Sequence, residues 1–358
     1  MLLKTWEKDD IIQLISIGML RNSTSNRKKH EDDQKYLSSN LAASSRLGNH
    51  IFELSALLAM SRKLKRKPAF FIQDHYHDQM LNDTDVLIPG LVDHFLIINQ
   101  TLPASIFPVE FNMKCCIFDN PERLMNNTDQ YLHIKGMHFQ SWKYFPRMRN
   151  ELIGYLREPT NSFDSLPKSN KSTFVTCVHV RRTDFVGTGS HVPEKDFIIS
   201  SMKFVEEKGF WNKLTKKEKY ANANCIIWGR FELFRNVDKR DYSSQKWQEK
   251  GEHCYHLKNV QLSQVLKNEA YISKDSPSDS LLYSRYHCDV VLFSAPHSTF
   301  GWWMGYFSKG NQVYYTDIKY TNDTSIPQGL FNPDDYFPPH WTPVKYDNVD
   351  NSTVIETL

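Results

Sequence analysis

The stretch Phe174-Val175-Thr176-Cys177-Val178-His179-Val180, which continues as Arg181-Arg182-Thr183-Asp184, predicts the fold class of this chain. Its first seven residues form a mainly apolar run, which is typical of a strand buried on both faces of a parallel sheet. Similar runs follow at residues 225–228 and 290–294, and helix-like segments lie between them. Strands that alternate with helices in this way predict an α/β protein.

The N-terminal half shows the same alternation of helix and strand. Apolar residues with a helical period begin at Ile51, Pro68 ends that segment, and an apolar run follows at residues 69–72. Residues 159–172 are rich in Pro, Ser and Asn, which is typical of a linker. We therefore expect two α/β domains with a cleft between them. The predicted regions are a flexible stem at 1–35, an N-terminal domain at 36–160, a C-terminal domain at 161–320 and an irregular tail at 321–358.

Composition argues against two kinds of partner. The chain has 358 residues, of which 24% are charged, and its net charge of +3 is spread along the sequence. No nucleic-acid partner is therefore expected. The sequence contains no stretch of about eighteen apolar residues, so contact with a membrane would require an anchor that this chain lacks.

Cysteines and glycosylation sequons bear on the cellular compartment. The six cysteines include no CxxC pair, so a zinc site is not expected. Cys177 and Cys225 lie in apolar runs and are expected to be buried thiols, whereas Cys254 and Cys288 could form a disulfide. Asn-x-Ser/Thr sequons are in moderate excess, which favours the secretory pathway. They begin at Asn22, Asn82, Asn99, Asn126, Asn170, Asn322 and Asn351.

Three segments lie where ligands bind in α/β proteins, namely beyond strand ends or at helix starts. His179 to Asp184 place two arginines after a strand, and arginine can grip phosphate oxygens with two hydrogen bonds. The alternative is an Arg–Asp ion pair on the surface. Ser298, Thr299 and Phe300 open a predicted helix that suits an anionic diphosphate, or they only cap it. Arg46, Gly48 and Asn49 precede the first helix and either bind a ligand or cap that helix.

Four blocks of the sequence resemble the α-1,2-fucosyltransferase family. Residues 179–184 match its His-x-Arg-Arg-x-Asp signature, and residues 298–303 match its Ser-Thr-Phe-Gly-Trp-Trp block. Residues 46–49 resemble its first block, in which this chain has Ser45 for a glycine and His50 for a glutamine. Residues 139–145 resemble its Gln-Ser segment, and the order of the blocks agrees over residues 36–342.

The resemblance implies a GT-B-like fold of two Rossmann-like domains, and a reaction that moves fucose from GDP-fucose to a galactoside hydroxyl of a glycan acceptor with inversion. It implies neither a cofactor nor a metal ion, and it places the protein in the Golgi lumen. The implied residues are Arg181, Arg182 and Asp184 for catalysis, His179, Ser298, Thr299 and Phe300 for the donor, and Arg46, Gly48 and Asn49 on the fucose and acceptor side.

One segment departs from the family pattern. The family carries an acidic pair after its middle strand, whereas this chain has Trp228-Gly229-Arg230-Phe231-Glu232. An inactive relative that binds glycans or nucleotides therefore stays open as an alternative. A protein O-fucosyltransferase stays open as well, because those enzymes share comparable short blocks. Asp184 and Glu194 are candidates for the base that takes the acceptor proton. Asp83-Thr84-Asp85 has the spacing of metal-binding aspartates, but it lies in a sequon and is expected to be a surface loop.

Overall fold

The computed structural model is an α/β protein with two sheets of mainly parallel strands. It describes residues 34–41, 46–72, 75–114, 116–181, 185–214, 222–228, 269–273, 275–326, 330–350 and 352–357. The chain divides into two compact units, and it passes from the first to the second after Phe145. Residues 86–88 belong with the second unit.

The first unit is built on five parallel strands in the order β3-β2-β1-β5-β4. Their bounds are Tyr36–Ser39 for β1, Lys67–Phe71 for β2, Leu96–Ile98 for β3, Val109–Glu110 for β4 and Tyr131–Lys135 for β5. The helices are α1 at Leu47–Lys63, α2 at His75–Leu87 and α3 at Pro89–Val92. Helix α1 packs on β1 and β2, and its apolar residues are almost entirely buried. The predicted helix and the strand after it are confirmed.

The second unit is built on seven strands in the order β12-β11-β10-β9-β6-β7-β8. The strand bounds are Thr173–His179 for β6, Asn222–Trp228 for β7, Glu269–Ile272 for β8, Val290–Phe293 for β9, Gln312–Thr316 for β10, Thr342–Tyr346 for β11 and Val354–Glu356 for β12. All pairs are parallel except β11 with β12. The strand order therefore reverses direction between β6 and β9, which is the topological switch point of a doubly wound sheet.

Five helices accompany this sheet in the described residues: α4 at Arg149–Gly154, α5 at Lys195–Leu214, α6 at Pro277–His287, α7 at Thr299–Phe307 and α8 at Pro333–Tyr336. Helix α5 follows β6, and its Phe197, Ile198 and Met202 join the core formed by Val178 and Leu292. The three apolar strands predicted in this half are confirmed as β6, β7 and β9. Because helices separate them in sequence, the parallel sheet follows from the same pattern.

The predicted irregular tail is wrong in part. Helix α8 and strands β11 and β12 all lie within residues 321–358. Pro343 sits inside β11, where its carbonyl accepts a hydrogen bond from Thr357 and its neighbour Val344 is completely buried. Proline in a sequence favours a loop. Here the burial of Val344 holds the segment in the sheet as a strand.

The predicted linker at 159–172 is also packed against the second unit. The ring of Phe163 lies 5.3 Å from that of Tyr283, and both Phe163 and Leu166 are buried. Because residues 159–172 are mostly polar, the sequence did not indicate that Phe163 and Leu166 pack against the second unit. The unit boundary therefore lies after Phe145 and not near residue 160.

The cysteine pairing differs from the sequence-based expectation. Cys177 in β6 forms a disulfide with Cys288, which lies two residues before the start of β9, with a Cα–Cα distance of 5.5 Å. Cys177 is therefore not a free thiol, and Cys288 does not pair with Cys254, which lies outside the described residues. The two half-cystines are 111 residues apart, and only the adjacency of β6 and β9 brings them together.

The segment Asp83-Thr84-Asp85 is not a loop, because it lies within α2. Thr84 is completely buried, and its hydroxyl donates to the Met80 carbonyl at 2.7 Å. This hydrogen bond one turn back along the helix and the burial of Thr84 outweigh the weak helix propensity of Asn, Asp and Thr.

Candidate functional site

The carboxyl ends of β6 and β9 bring two of the sequence blocks together. His179 and Phe293 are partners in the register of the two strands. The backbone N–H and the hydroxyl of Ser294 both donate to the His179 carbonyl, at 3.1 and 3.2 Å. Both segments therefore leave the sheet side by side at its switch point, where doubly wound proteins bind ligands.

Arg181 lies two residues beyond the end of β6 and is partly exposed. Its guanidinium carbon lies 4.5 Å from the centre of the Phe185 ring, a cation–π distance. Burial raises the pKa of Tyr336, and the positive charge of Arg181 opposes that rise. These contacts fix a cation near the strand end. Arg182 and Asp184 lie outside the described residues.

The first turn of α7 approaches β6 closely at Gly301. A Cβ atom at this glycine would lie 2.8 Å from Nδ1 of His179 and 3.0 Å from the Phe293 Cβ. The ring of Phe300 lies 5.5 Å from that of His179, which is itself buried. Only a residue without a side chain allows the start of this helix to lie against the end of β6.

Ser298 is the N-cap of α7, and its hydroxyl accepts a hydrogen bond from Gly301 N at 3.3 Å. Ser298 is fully buried and Thr299 nearly so. Behind them, Trp302 is completely buried and its Nε1 donates to the Tyr336 carbonyl at 2.9 Å. The capping role that the sequence offered as an alternative is therefore present, and an aromatic core lies behind it. Capping leaves the backbone N–H groups of the first turn as the donors that an anion can use.

A histidine–aspartate pair lies at the same edge and was missed from the sequence. Nδ1 of His297, the residue before the cap of α7, lies 3.0 Å from Oδ2 of Asp323, in the segment after β10. The side chains are 8% and 1% exposed, respectively. Asp323 had been seen only as the middle residue of the Asn322 sequon, and the signal for a partner was the unassigned histidine between β9 and α7.

Asp323 joins three segments of this edge. It accepts hydrogen bonds from His191 N at 2.8 Å and from the N–H and hydroxyl of Ser325 at 2.9 and 2.6 Å, besides its contact with His297. Burial alone would raise the pKa of Asp323, but the hydrogen bonds from His297, Ser325 and His191 bring it well below its usual value. The carboxylate is therefore ionised near neutral pH.

The first unit gathers polar residues at the start of α1. Arg46 is exposed at the N-cap, Gly48 is buried in the first turn, and the side chain of Asn49 accepts a hydrogen bond from Gln140 Nε2 at 3.0 Å. Gln140 belongs to the block at residues 139–145. This hydrogen bond therefore joins two blocks whose residues Asn49 and Gln140 are 91 positions apart in the sequence.

A buried carboxylate lies one turn further along α1. Glu53 is 1% exposed and its Oε1 lies 3.3 Å from Nδ1 of His138. Glu53 follows Asn49 by four positions, so both side chains lie on one face of the helix. This pair was also missed, since an isolated Glu in an apolar helix looks like a surface residue.

Comparisons with known proteins show the family of this chain. No protein-family model matches the chain. A Caenorhabditis elegans protein named "Putative galactoside 2-alpha-L-fucosyltransferase svh-11" is 42% identical over 332 residues, which cover 92% of this chain and 84% of that protein. The chain belongs to the galactoside 2-α-L-fucosyltransferase family. A C. elegans protein named "Galactoside 2-alpha-L-fucosyltransferase" is 29% identical over 84% of this chain and 75% of its own length.

In this member of the fucosyltransferase family, the predicted glycosylation sites Asn82, Asn99, Asn126, Asn170 and Asn322 are all exposed, as an attached glycan requires. Glu194, a candidate base, is exposed, and its carbonyl accepts from Ile198 N at the start of α5. The described residues contain no group of three or more His, Cys, Asp or Glu side chains that could hold a metal ion. In the same residues, no helix combines the length and apolar character that crossing a membrane requires.

Proposed function

We propose that this protein transfers L-fucose from GDP-fucose to a galactoside hydroxyl of a glycan, with an α-1,2 linkage and inversion at the anomeric carbon. The proposal includes a GT-B-like arrangement, in which two Rossmann-like units share a cleft, and a location in the Golgi lumen. One observation carries it: two of the family blocks leave β6 and β9 side by side, joined by the hydrogen bonds from Ser294 to the His179 carbonyl.

Arg181 is the residue to which we assign stabilisation of the leaving group. When the bond between fucose and GDP breaks, negative charge develops on the β-phosphate and the sugar acquires oxocarbenium character. A guanidinium already fixed near that charge stabilises the transition state more than the ground state. Stacking on Phe185 restricts the Arg181 side chain, so little reorganisation is needed. Arg182 and Asp184 are assigned supporting roles, with Asp184 orienting the arginines.

The start of α7 is assigned to the diphosphate. A helix N-terminus carries a partial positive charge and N–H groups that suit an anion. Because the hydroxyl of Ser298 is engaged as the cap, we expect the backbone N–H groups of Thr299 and Phe300 to make the contacts. The ring of His179 contacts the ring of Phe300. These groups compensate the charge of a diphosphate, so we propose a reaction without a cofactor or a metal ion.

The polar residues at the start of α1 are assigned to the fucose and the glycan acceptor. Arg46 is exposed there, Gly48 permits a close backbone approach, and Asn49 is held by Gln140. An amide fixed by a second amide presents its remaining hydrogen-bonding atoms in one orientation, as recognition of a sugar hydroxyl requires. This side of the site determines which galactoside is used.

Calorimetric titration with GDP, with UDP for comparison, tests donor recognition. We expect GDP to bind and UDP to bind much more weakly, and we expect slow hydrolysis of GDP-fucose that persists in EDTA. Failure to bind GDP would contradict the donor assignment, and the inactive-relative alternative would then gain support if the chain still bound glycans. Loss of hydrolysis in EDTA, restored by a divalent cation, would contradict the metal-independent scheme.

A paired acceptor assay separates the two enzymatic alternatives. The purified chain is given GDP-fucose with either a free disaccharide that ends in galactose or a folded protein domain. Transfer to the free galactoside supports the proposal. Transfer to the protein domain alone would identify a protein O-fucosyltransferase.

A further inference from the structure

The imidazole of His297 is held on one side and unsatisfied on the other. Nδ1 contacts Asp323 Oδ2 at 3.0 Å and Ser325 Oγ at 3.1 Å. Nε2 is buried and has no hydrogen-bond partner in the described part of the chain. A buried polar atom without a partner destabilises a protein, so native structures rarely keep one unless a ligand or water satisfies it. This nitrogen therefore has the environment of a ligand contact.

The charge around His297 favours an anionic ligand. Asp323 is ionised and is already satisfied by donors from three segments. A protonated imidazole that gives Nδ1–H to this carboxylate presents Nε2–H as a second donor. Arg181, a cation, follows the neighbouring strand β6. Asp317, which follows β10 at the same edge, is already engaged as the cap of residues 318–320. The ring is kept in place by Phe331, whose centre lies 4.8 Å away in an edge-to-face contact.

The position of His297 in the chain indicates that it contacts the phosphates of the ligand. It lies between the end of β9 and the cap of α7, a nine-residue helix whose N-terminus attracts negative charge. Strand β9 pairs with β6, and Arg181 follows the end of β6. In a doubly wound sheet, the phosphates of a nucleotide bind at this switch point.

We propose that Nε2–H of His297 donates a hydrogen bond to the terminal phosphate of the bound nucleoside diphosphate, and that Asp323 is the positioning residue that fixes the ring. The inference rests on the proposed function and adds a second hydrogen-bond donor to the guanidinium of Arg181. When the bond between the anomeric carbon and the phosphate oxygen breaks, its electron pair goes to the phosphate. His297 keeps its proton throughout, and its hydrogen bond strengthens as the phosphate becomes more negative.

Two substitutions at His297 test the contributions of Nδ1 and Nε2 separately. In His297→Asn, the side-chain amide lies where Nδ1 was and can still contact Asp323, but nothing replaces Nε2. In His297→Gln, the amide reaches the position of Nε2 but loses the tie to Asp323. The matched control is His340→Gln, an exposed histidine near the amino end of β11, at the opposite edge of the sheet.

The test is calorimetric titration of each full-length variant with GDP and with GMP, which lacks the terminal phosphate. We expect His297→Asn to weaken GDP binding about tenfold or more and to leave GMP binding and thermal stability unchanged. His297→Gln should retain more GDP affinity while it lowers stability, and His340→Gln should match the wild type.

Equal weakening of GDP and GMP by His297→Asn, or no change in either, would overturn the inference and leave His297 a structural residue. If His297→Asn does not fold, the same ratio is measured on His297→Ala, which also lacks Nε2. The inference predicts a loss for GDP alone in that variant, whereas a purely structural histidine predicts equal losses for both nucleotides. Absence of GDP binding by the wild-type protein is a separate result, which contradicts the proposed function and the inference with it.

Discussion

At the scale of single residues, the site depends on how closely α7 approaches β6. Gly301 makes this approach possible, because its missing side chain leaves room for His179 and for Phe293. The same contact brings Phe300 against the His179 ring. A methyl group at position 301 would displace the start of the helix, and with it the N–H groups that we assign to the diphosphate.

Gly301→Ala is therefore expected to destabilise the protein by about 1–3 kcal/mol through overpacking and to weaken GDP binding. The measurement is denaturant unfolding together with calorimetric titration. The matched control is Gly154→Ala, at the end of α4, where an added Cβ would contact nothing within 4 Å. Equal behaviour of the two variants would contradict the close-approach explanation.

Residues with a motif could be predicted from the sequence, and residues defined only by spatial contact could not. Arg181 and Ser298 follow strands and match family blocks, so their place at the edge was foreseeable. His297 and Asp323 are 26 positions apart in the sequence, and their pairing depends on how the segments after β9 and β10 turn back on the sheet. Glu53 was hidden for the same reason, since its partner His138 lies in another segment.

At the scale of elements, the β6–β9 pair organises the second unit. It carries the sheet's change of direction, the hydrogen bonds between the two blocks and the disulfide from Cys177 to Cys288. The strands were predictable from their apolar runs. Their adjacency was not, because β7 and β8 lie between them in the sequence but on the other side of β6 in the sheet.

Cys288→Ser is expected to destabilise the protein by about 2–5 kcal/mol, because the disulfide closes a long loop in the unfolded chain. Peptide mapping without reductant should recover Cys177 linked to Cys288. Recovery of a peptide that links Cys288 to Cys254 would contradict the pairing. A Cys177→Ser variant should lose the same stability, and the double variant should lose no more than either single one.

Asp323→Asn is expected to lower the stability of the second unit by about 2 kcal/mol at neutral pH, since it removes a charge that several donors satisfy. The folded pKa of Asp323 is depressed, so its contribution is present above the ordinary carboxylate pKa and is lost as the pH falls below it. Thermal unfolding at pH 7 and at pH 3 measures this difference.

The control for Asp323 is Asp350→Asn. Asp350 accepts from the N–H and hydroxyl of Ser352 just as Asp323 accepts from those of Ser325, but all its hydrogen bonds in the described residues are local. Its substitution should leave the unfolding midpoint unchanged. A similar loss in both variants would show that the local turn, and not the tie between segments, carries the stabilisation.

At the scale of the whole molecule, each unit keeps a histidine neutral. Burial lowers the pKa of His133 in β5 to about 4, and Ser38 contacts its Nδ1 at 2.9 Å. Burial, helped by nearby lysines, lowers the pKa of His287 at the end of α6 to about 4. In the unfolded chain, His133 and His287 take up a proton below about pH 6.5, whereas in the folded protein these two residues do so only near pH 4.

Stability is therefore expected to fall as the pH is lowered from about 6.5 towards 4, with His133 contributing about 1–2 kcal/mol near pH 5. His133→Asn keeps the contact with Ser38 and removes the titrating ring, so its stability should depend less on pH in this window. The exposed His75→Asn serves as the control. An unchanged pH dependence in His133→Asn would contradict the assignment.

The α/β class of both units was predictable because it depends on local periodicity. The domain boundary and the C-terminal strands were not, because Pro343 and the polar linker obscure apolar residues whose burial is decided by the rest of the sheet. Residues 229–268 include most of the departure from the family pattern at 228–232 and lie outside the described residues.

The role of Arg181 in fucose transfer is tested most directly by an assay with GDP-fucose and a galactose-terminated acceptor, in which Arg181→Ala is compared with the wild type. The matched control is Arg285→Ala, in the last turn of α6, whose guanidinium also lies over an aromatic ring, that of Tyr286. We expect transfer by the wild type and by Arg285→Ala, and a loss of at least about 100-fold in Arg181→Ala with the fold intact. Near-normal transfer by a folded Arg181→Ala protein would contradict this role.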